Sequence, residues 1–259
     1  MPSRLAPDCV TAALLLAVVV GLHAANPASA AVPGAEAAAQ NAATTAFVKP
    51  FLAQYTVLWK GVNAASASLE LRQDSPARYT YLSRNSARGI FKMAFPDEIQ
   101  QTSVFTIEQG EIRPVSYRAD DGTPKTDKDV ALDFDWTTGR VTGTAEKRAV
   151  DAALKAGTQD GMSVQIALMH ALSAGRSPTL FWLIDKDKLK DYEYRRDGTE
   201  RLRTAIGEVD TVIYSSRRPG SDRVTRIWYA ASLDYSPVQA DRRRGEKLEW
   251  SMRIKSLRR

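Results

Sequence analysis

The amino-acid sequence predicts a mainly β protein. A curved antiparallel sheet forms an unclosed β-barrel of about ten or eleven strands, with one helix packed near its concave side. Three observations carry this expectation. Apolar residues recur at alternate positions through most of the chain after residue 47, the period of strands with one buried and one wetted face. Turn dipeptides containing glycine separate these runs at short intervals, which suits hairpins rather than crossover helices. One segment, after Asp160, departs from period two. A sheet of so many one-sided strands cannot bury its apolar face while flat, so it must curl, and the helix can occupy the hollow.

Taken in order, residues 1–30 read as a signal peptide. Arg4 supplies the positive start, Val10 to Leu22 form a 13-residue apolar run, and Ala28-Ser29-Ala30 provides the small-x-small cleavage site. Thirteen residues are too short to cross a bilayer as a helix, and no later stretch approaches the length needed, so no transmembrane span is expected after cleavage. Cys9 precedes the apolar run, so it is not a lipoprotein cysteine, and a mature chain from Ala31 has no Cys. Residues 31–46 lack aromatic residues and read as a flexible leader, which leaves 47–259 as a single β-rich domain. Export by this signal places the mature protein in the periplasm, where disulfides would be permitted but play no part.

The strand pattern begins with Phe51, Ala53, Tyr55, Val57 and Trp59 on one face, and continues with Ala65, Ala67, Leu69 and Leu71. Ile99, Phe105 and Ile107 share a face, as do Val130, Leu132, Phe134 and Trp136, and finally Leu248, Trp250, Met252 and Ile254. Turns are expected at Lys60-Gly61, Gln109-Gly110, Asp121-Gly122, Thr138-Gly139, Asp197-Gly198, Pro219-Gly220 and Arg244-Gly245. Met162, Ile166, Met169, Ala171 and Leu172 suit a helix with Asp160 as its N-cap, ended by Gly175 and Pro178. A second, weaker helical piece is read at 149–157. Thr179 to Ile184 reads as a strand covered on both faces.

Much chemistry is set aside by composition. With one His and no Cys after residue 30, a zinc site lacks its ligands, and neither a metal nor a cofactor is expected. The acidic loop Asp120-Asp121-Gly122 through Asp127 and Asp129 could meet calcium, but it lacks the EF-hand spacing and reads as solvated charge. Asp160, Ser163 and His170 match a triad by type, yet Ser163 and His170 lie about 10.5 Å apart along one helix. Asp133 and Asp135 project to one strand face at a glycosidase-like spacing. Their neighbours take the buried face, so these aspartates belong to the wet side, where catalytic pKa shifts are hard to produce.

The remaining leads are aromatic rings and charge. Residues 31–194 carry 19 Lys+Arg against 20 Asp+Glu, whereas 195–259 carry 16 against 9, a net of +7. Such asymmetry can mark an anionic partner. In an exported protein that means lipid head groups, lipopolysaccharide or acidic glycans rather than nucleic acid, unless the arginines simply solvate outward strand positions. The residues expected to meet a ligand are Trp59, Tyr79, Tyr81 and Trp228, with Arg242, Arg243 and Arg244 near a hairpin tip.

Several short motifs, in this order, carry a resemblance. Phe51-Leu52-Ala53-Gln54-Tyr55-Thr56-Val57 with Gly61 precedes Ser83-Arg84-Asn85 and Gly89-Ile90-Phe91. Pro114-Val115-Ser116-Tyr117 and Gln159-Asp160-Gly161-Met162-Ser163 follow, then Ile227-Trp228-Tyr229-Ala230 and Leu233-Asp234-Tyr235-Ser236-Pro237-Val238. Over roughly residues 50–255 the chain resembles an exported Gram-negative family known only as domain of unknown function number 3108. The Trp-bearing strand and the segment after it also look like periplasmic lipoprotein carriers, which are unclosed barrels around a helix. The family name implies no activity, and the second likeness is architectural. The sequence therefore leads to a non-enzymatic periplasmic protein that binds or carries an amphipathic or anionic envelope component, a lipid or glycolipid. The alternative is a module that binds a periplasmic protein in envelope assembly, and the third is a glycan hydrolase using Asp133 and Asp135.

Overall fold

A computed structural model describes residues 49–259 apart from Lys186 and Pro219. The expected signal peptide and the leader at 31–46 lie outside the described residues. The first wing of the sheet contains β1 (Phe51–Trp59), β2 (Val62–Ser75), β3 (Arg78–Ala87), β4 (Ile99–Glu108), β5 (Glu111–Asp120), β6 (Val130–Asp135), β7 (Arg140–Ala145) and β8 (Arg148–Ala153). Helix α1 (Ser163–Ser173) follows. The second wing contains β9 (Leu180–Asp185), β10 (Lys188–Thr204), β11 (Gly207–Arg217), β12 (Arg223–Ala230), β13 (Ser236–Arg244) and β14 (Lys247–Arg258).

Within each wing every strand pairs with its sequence neighbour. The wings join where β1 meets β14 antiparallel, from Leu52↔Arg258 to Trp59↔Trp250. The result is one 14-stranded antiparallel sheet, ordered β8-β7-β6-β5-β4-β3-β2-β1-β14-β13-β12-β11-β10-β9. It is not closed into a barrel. Its two edges are β8 and β9, which the chain segment carrying α1 connects directly. Part of that segment lies along one edge: Gln159 forms a parallel bridge with Leu183, with Gln159 N to Trp182 O at 2.7 Å and Ile184 N to Gln159 O at 3.3 Å. An unpaired strand edge is a template for aggregation, and these bonds occupy part of the outer edge of β9 with the chain's own backbone.

The alternating residues behave as the pattern requires. Phe51, Ala53, Tyr55 and Val57 are buried, as are Ala65, Ala67, Leu69 and Leu71, while Gln54 is exposed. These chains, with α1, form one continuous core. Lys60-Gly61, Gln109-Gly110 and Arg244-Gly245 close hairpins as expected.

Three expectations are corrected. The strands number 14 rather than ten or eleven, because short segments with few large apolar residues also pair. The segment read as a weak helix at 149–157 begins instead as β8, held by pairing with β7 and by burial of Val150. Its alanines favour a helix locally, but ladder hydrogen bonds and burial override so small a preference. Asp197-Gly198 is no turn either. It forms a bulge inside β10, with Gly198 at φ 136°, and the Asp197 carboxylate accepts hydrogen bonds from Arg195, Ser215 and Arg226.

Gly143 in β7 sits at φ +141°, and a Cβ there would lie 2.0 Å from the Ala131 carbonyl oxygen. The neighbour is backbone in the paired strand, so it cannot swing aside. Gly143→Ala is therefore expected to lower stability by about 2–3 kcal/mol. Urea unfolding of the two proteins measures the difference, and an unchanged midpoint would show that β6 and β7 can separate freely.

Candidate functional site

The concave side of the sheet is filled rather than hollow. Nine of the 11 residues of α1 are buried, including polar Ser163, Gln165 and His170. A helix covered all round must have its polar groups satisfied from the surrounding sheet. Tyr81 donates its hydroxyl to Gln165 Oε1, Tyr229 bonds the same side chain, and the His170 Nε2 lies 3.0 Å from Gly110 O. Burial pushes the hydroxyls of Tyr55, Tyr81 and Tyr229 up, which keeps them neutral.

Asp160 organises the start of the helix. Its Oδ1 accepts from the amides of Met162 at 2.7 Å and Ser163 at 2.8 Å, and its own amide donates to Ser163 Oγ at 2.9 Å. This reciprocal pair is a capping arrangement, as the sequence predicts for Asp160. The other oxygen accepts from Ser103 Oγ of β4 at 2.6 Å. Burial raises the Asp160 pKa, although the hydrogen bonds from Ser103, Ser163 and Met162 act in the opposite direction. Gln101 and Ser103, polar residues on the inner face of β4, are both buried here. They share the parity of Ile99 and Phe105, which is the available signal, but polar residues at inward positions do not announce themselves by hydropathy.

The residues expected to meet a ligand do not form one site, although Trp59 and Arg242 flank Trp250 on neighbouring strands. Tyr79 is buried and stacks on Phe105 with centroids 5.5 Å apart, and Tyr81 is wholly enclosed against α1. Trp59 is half-buried opposite Trp250, with Lys60 over its ring. Trp228 and Tyr229 are adjacent on β12, and strand alternation alone would send one ring to each face. Both are buried, at 7% and 1% exposure, where a register shift separates them.

The arginine run divides because a strand alternates. Arg242 is not at a solvated tip: it is 7% exposed, with Nε 3.2 Å from Thr225 Oγ1 and its guanidinium 5.5 Å from the Trp250 ring centroid. Burial pushes its pKa down to about 10. Arg243 donates to Glu246 O, and exposed Arg244 pairs with Asp222 and Glu249. Arg218 is likewise buried, 3.2 Å from Asp185. The basic C-terminal third is thus not one surface patch.

The carboxylates singled out by sequence are equally informative. Asp133 is exposed and pairs with Arg118 at 2.7 Å. Asp135 accepts the amides of Thr137 and Thr138, and the hydrogen bonds of Thr138 and Thr137 lower its pKa. A lowered pKa is the reverse of what a general acid needs. Asp120, Asp121 and Asp129 bring carboxylate oxygens within 4.8 Å of one another, whereas Asp127 turns to Lys147. Among the described residues no helix is long and apolar enough to cross a membrane.

A cleft that sequence analysis missed opens at the C-terminal end of α1. It has a volume of about 620 Å³, with Leu172, Val212, Ala231 and Tyr235 among its lining and Arg176, Arg196 and Arg201 around them. Glu200 and Asp210 also line it. Trp228 donates Nε1 to Glu200 Oε2 at 2.7 Å, and Thr211 Oγ1 donates to Glu200 O at 2.6 Å. Trp228 therefore braces the cleft wall without entering the cleft. Arg201 is paired with Glu208. Among the described residues the side chains of Arg176 and Arg196 have no ion-pair partner. The cleft joins a helix end, two strands and a turn far apart in sequence, so no local motif could mark it.

Comparison with known proteins gives the chain its family. The family model of proteins of unknown function (DUF3108) matches residues 54–244. The chain belongs to the DUF3108 family. No curated protein matches it. The DUF3108 chain is similar in structure to a β-barrel-like protein of domain of unknown function DUF1849 from Brucella abortus, with TM-score 0.54 and 13% identity over 82% of this chain and 98% of that one. At that identity the likeness concerns the fold. A protein from Bacteroides fragilis described as exported, with a YmcC-like fold, matches with TM-score 0.36 and 10% identity over 82% of this chain and 97% of its own.

The Asp160 junction of the DUF3108 chain makes a pH-dependent prediction. Its folded-state pKa lies above the ordinary 3.8, so the folded protein holds this proton more tightly than the unfolded chain. Its contribution to stability therefore falls as pH rises from 3.8 through the folded pKa. Asp160→Asn keeps an accepting oxygen but cannot ionise, so its stability relative to wild type should improve across that window and level off above it. Urea unfolding at stepped pH checks this, and a pH-independent difference would refute it. Asp160→Ala leaves Ser103 and two helix amides without their acceptor and should cost about 2–3 kcal/mol.

Proposed function

We propose that this protein binds an amphipathic envelope component with an anionic head group in the periplasm, without catalysing a reaction on it. The cleft at the end of α1 carries this reading. At about 620 Å³ it falls within the size range of small-molecule sites, which are mostly apolar with a few placed polar groups. Leu172, Val212 and Ala231 offer an apolar floor, and Tyr235 adds a ring. Arg176 and Arg196, uncommitted to internal partners, offer planar donor forks suited to a phosphate or carboxylate. The filled concave face leaves this rim as the place for an apolar tail. The signal peptide expected at residues 1–30 supports the periplasmic location.

Native mass spectrometry of protein purified gently from its own host is expected to show a small acidic amphiphile bound. Displacement of a fluorescent fatty acid then measures affinity. Arg176→Gln combined with Arg196→Gln should weaken it about tenfold or more, because each charge-assisted hydrogen bond contributes roughly 1.5–3 kcal/mol. Binding of the corresponding fatty alcohol should not change. Protein that is empty as isolated and indifferent to fatty acids would end the proposal.

A further inference from the structure

The connection between β3 and β4 offers a second surface, at the other end of the sheet from the cleft. Arg88-Gly89-Ile90-Phe91-Lys92-Met93 enters a 3-10 turn spanning Gly89–Met93. The turn is firmly built. Arg88 N donates to Ala64 O at 2.8 Å, Phe91 N to Arg88 O at 3.2 Å and Phe95 N to Phe91 O at 3.1 Å. Phe91 packs onto a small cluster of Ala87, Phe95 and Ile99.

This anchoring presents two large apolar side chains to solvent. Ile90 is 78% and Met93 89% exposed. In a 3-10 turn residues i and i+3 eclipse, so Ile90 and Met93 stand on the same side. Val62, 60% exposed, lies in the adjoining hairpin, brought to the same end by the pairing of Ala65 with Ala87. Basic residues flank the tip: Arg88 and Lys92 within it, and exposed Lys60 beside Val62. No acidic residue occurs between Asp74 and Asp97. Glu98, beyond the tip, is engaged by Arg84 and Ser86.

We propose that this tip is a contact with an anionic lipid bilayer. Ile90 and Met93 enter the boundary between head groups and acyl chains, while Arg88 and Lys92 meet lipid phosphates. Apolar side chains inserted with a basic fringe are how surface-bound segments hold such a membrane. A projecting point of two side chains suits a fluid surface better than a protein partner, whose interface buries about 800 Å² on each side. The contact is independent of the cleft, which would remain open to the aqueous side.

The experiment is co-sedimentation of the purified protein with vesicles of phosphatidylethanolamine containing phosphatidylglycerol, against vesicles of phosphatidylcholine alone. Wild type should sediment with the anionic vesicles and be released as salt rises. Ile90→Ser with Met93→Ser should weaken binding by at least about tenfold, from the lost burial of two apolar side chains. Arg88→Gln with Lys92→Gln should weaken it and flatten the salt dependence. All arms share one N-terminus, so the first 30 residues cannot create the differences. Each variant should unfold at the wild-type midpoint, since the altered side chains are exposed, and should bind fluorescent fatty acid as before. Wild type that ignores both vesicles, or double variants that sediment as wild type does, would overturn the proposal.

Discussion

The structure depends on the junction that fastens α1 inside the sheet. Asp160 ties the first helical amides to Ser103 of β4, and the preceding residue, Gln159, bridges Leu183 of β9. Gln159 also sends its side-chain amide to Ile112 O of β5 at 2.8 Å. Two adjacent residues thereby connect the first wing, the helix and the free edge of the second wing. Without them the concave face would have no filling and β9 no cover, so an extended sheet would be left with apolar surface and a free ladder. A buried carboxylate is costly, and here several directed donors offset part of that cost.

Filling the hollow decides where open space remains. With α1 packed into the concave side, the cleft proposed for binding lies at one end of the sheet rather than inside it. One end carries the cleft, where the termination of α1 leaves Leu172 and Arg176 facing β10, β11 and the turn before β13. The other carries the 3-10 tip. The aromatic residues mostly serve the interior: Tyr81 satisfies the helix, Tyr79 stacks in the core, and Trp228 supports Glu200 from outside the cleft.

Charge follows the same geometric logic. The excess of arginine after residue 194 suggests one basic surface, but strand alternation and a bulge between Arg242 and Arg243 send neighbours to different environments. Arg242 and Arg218 become interior groups, and Arg226 and Arg253 are consumed by Asp197 and Asp241. Among the described residues, Arg176 and Arg196 at one end and Arg88 and Lys92 at the other are exposed and outside any ion pair, and none of them belongs to the densest run in the sequence.

The sequence by itself determined the class of fold, the curling of the sheet, the period of most strands and the position and cap of α1. Each of these follows from local facts: side chains alternate every two residues, helices need an acceptor at their start, and glycine ends them. It also identified the family motifs. It could not show β8, because alanine-rich residues pair there only when β7 is already in place. Nor could it show what satisfies the inward-facing Gln101 and Ser103, since their partners, Tyr117 and Asp160, lie on other segments of the chain. The cleft and the fate of each arginine were decided by tertiary structure alone. Which face a strand residue takes depends on register and bulges, and which charges stay unpaired depends on contacts between segments distant in the chain.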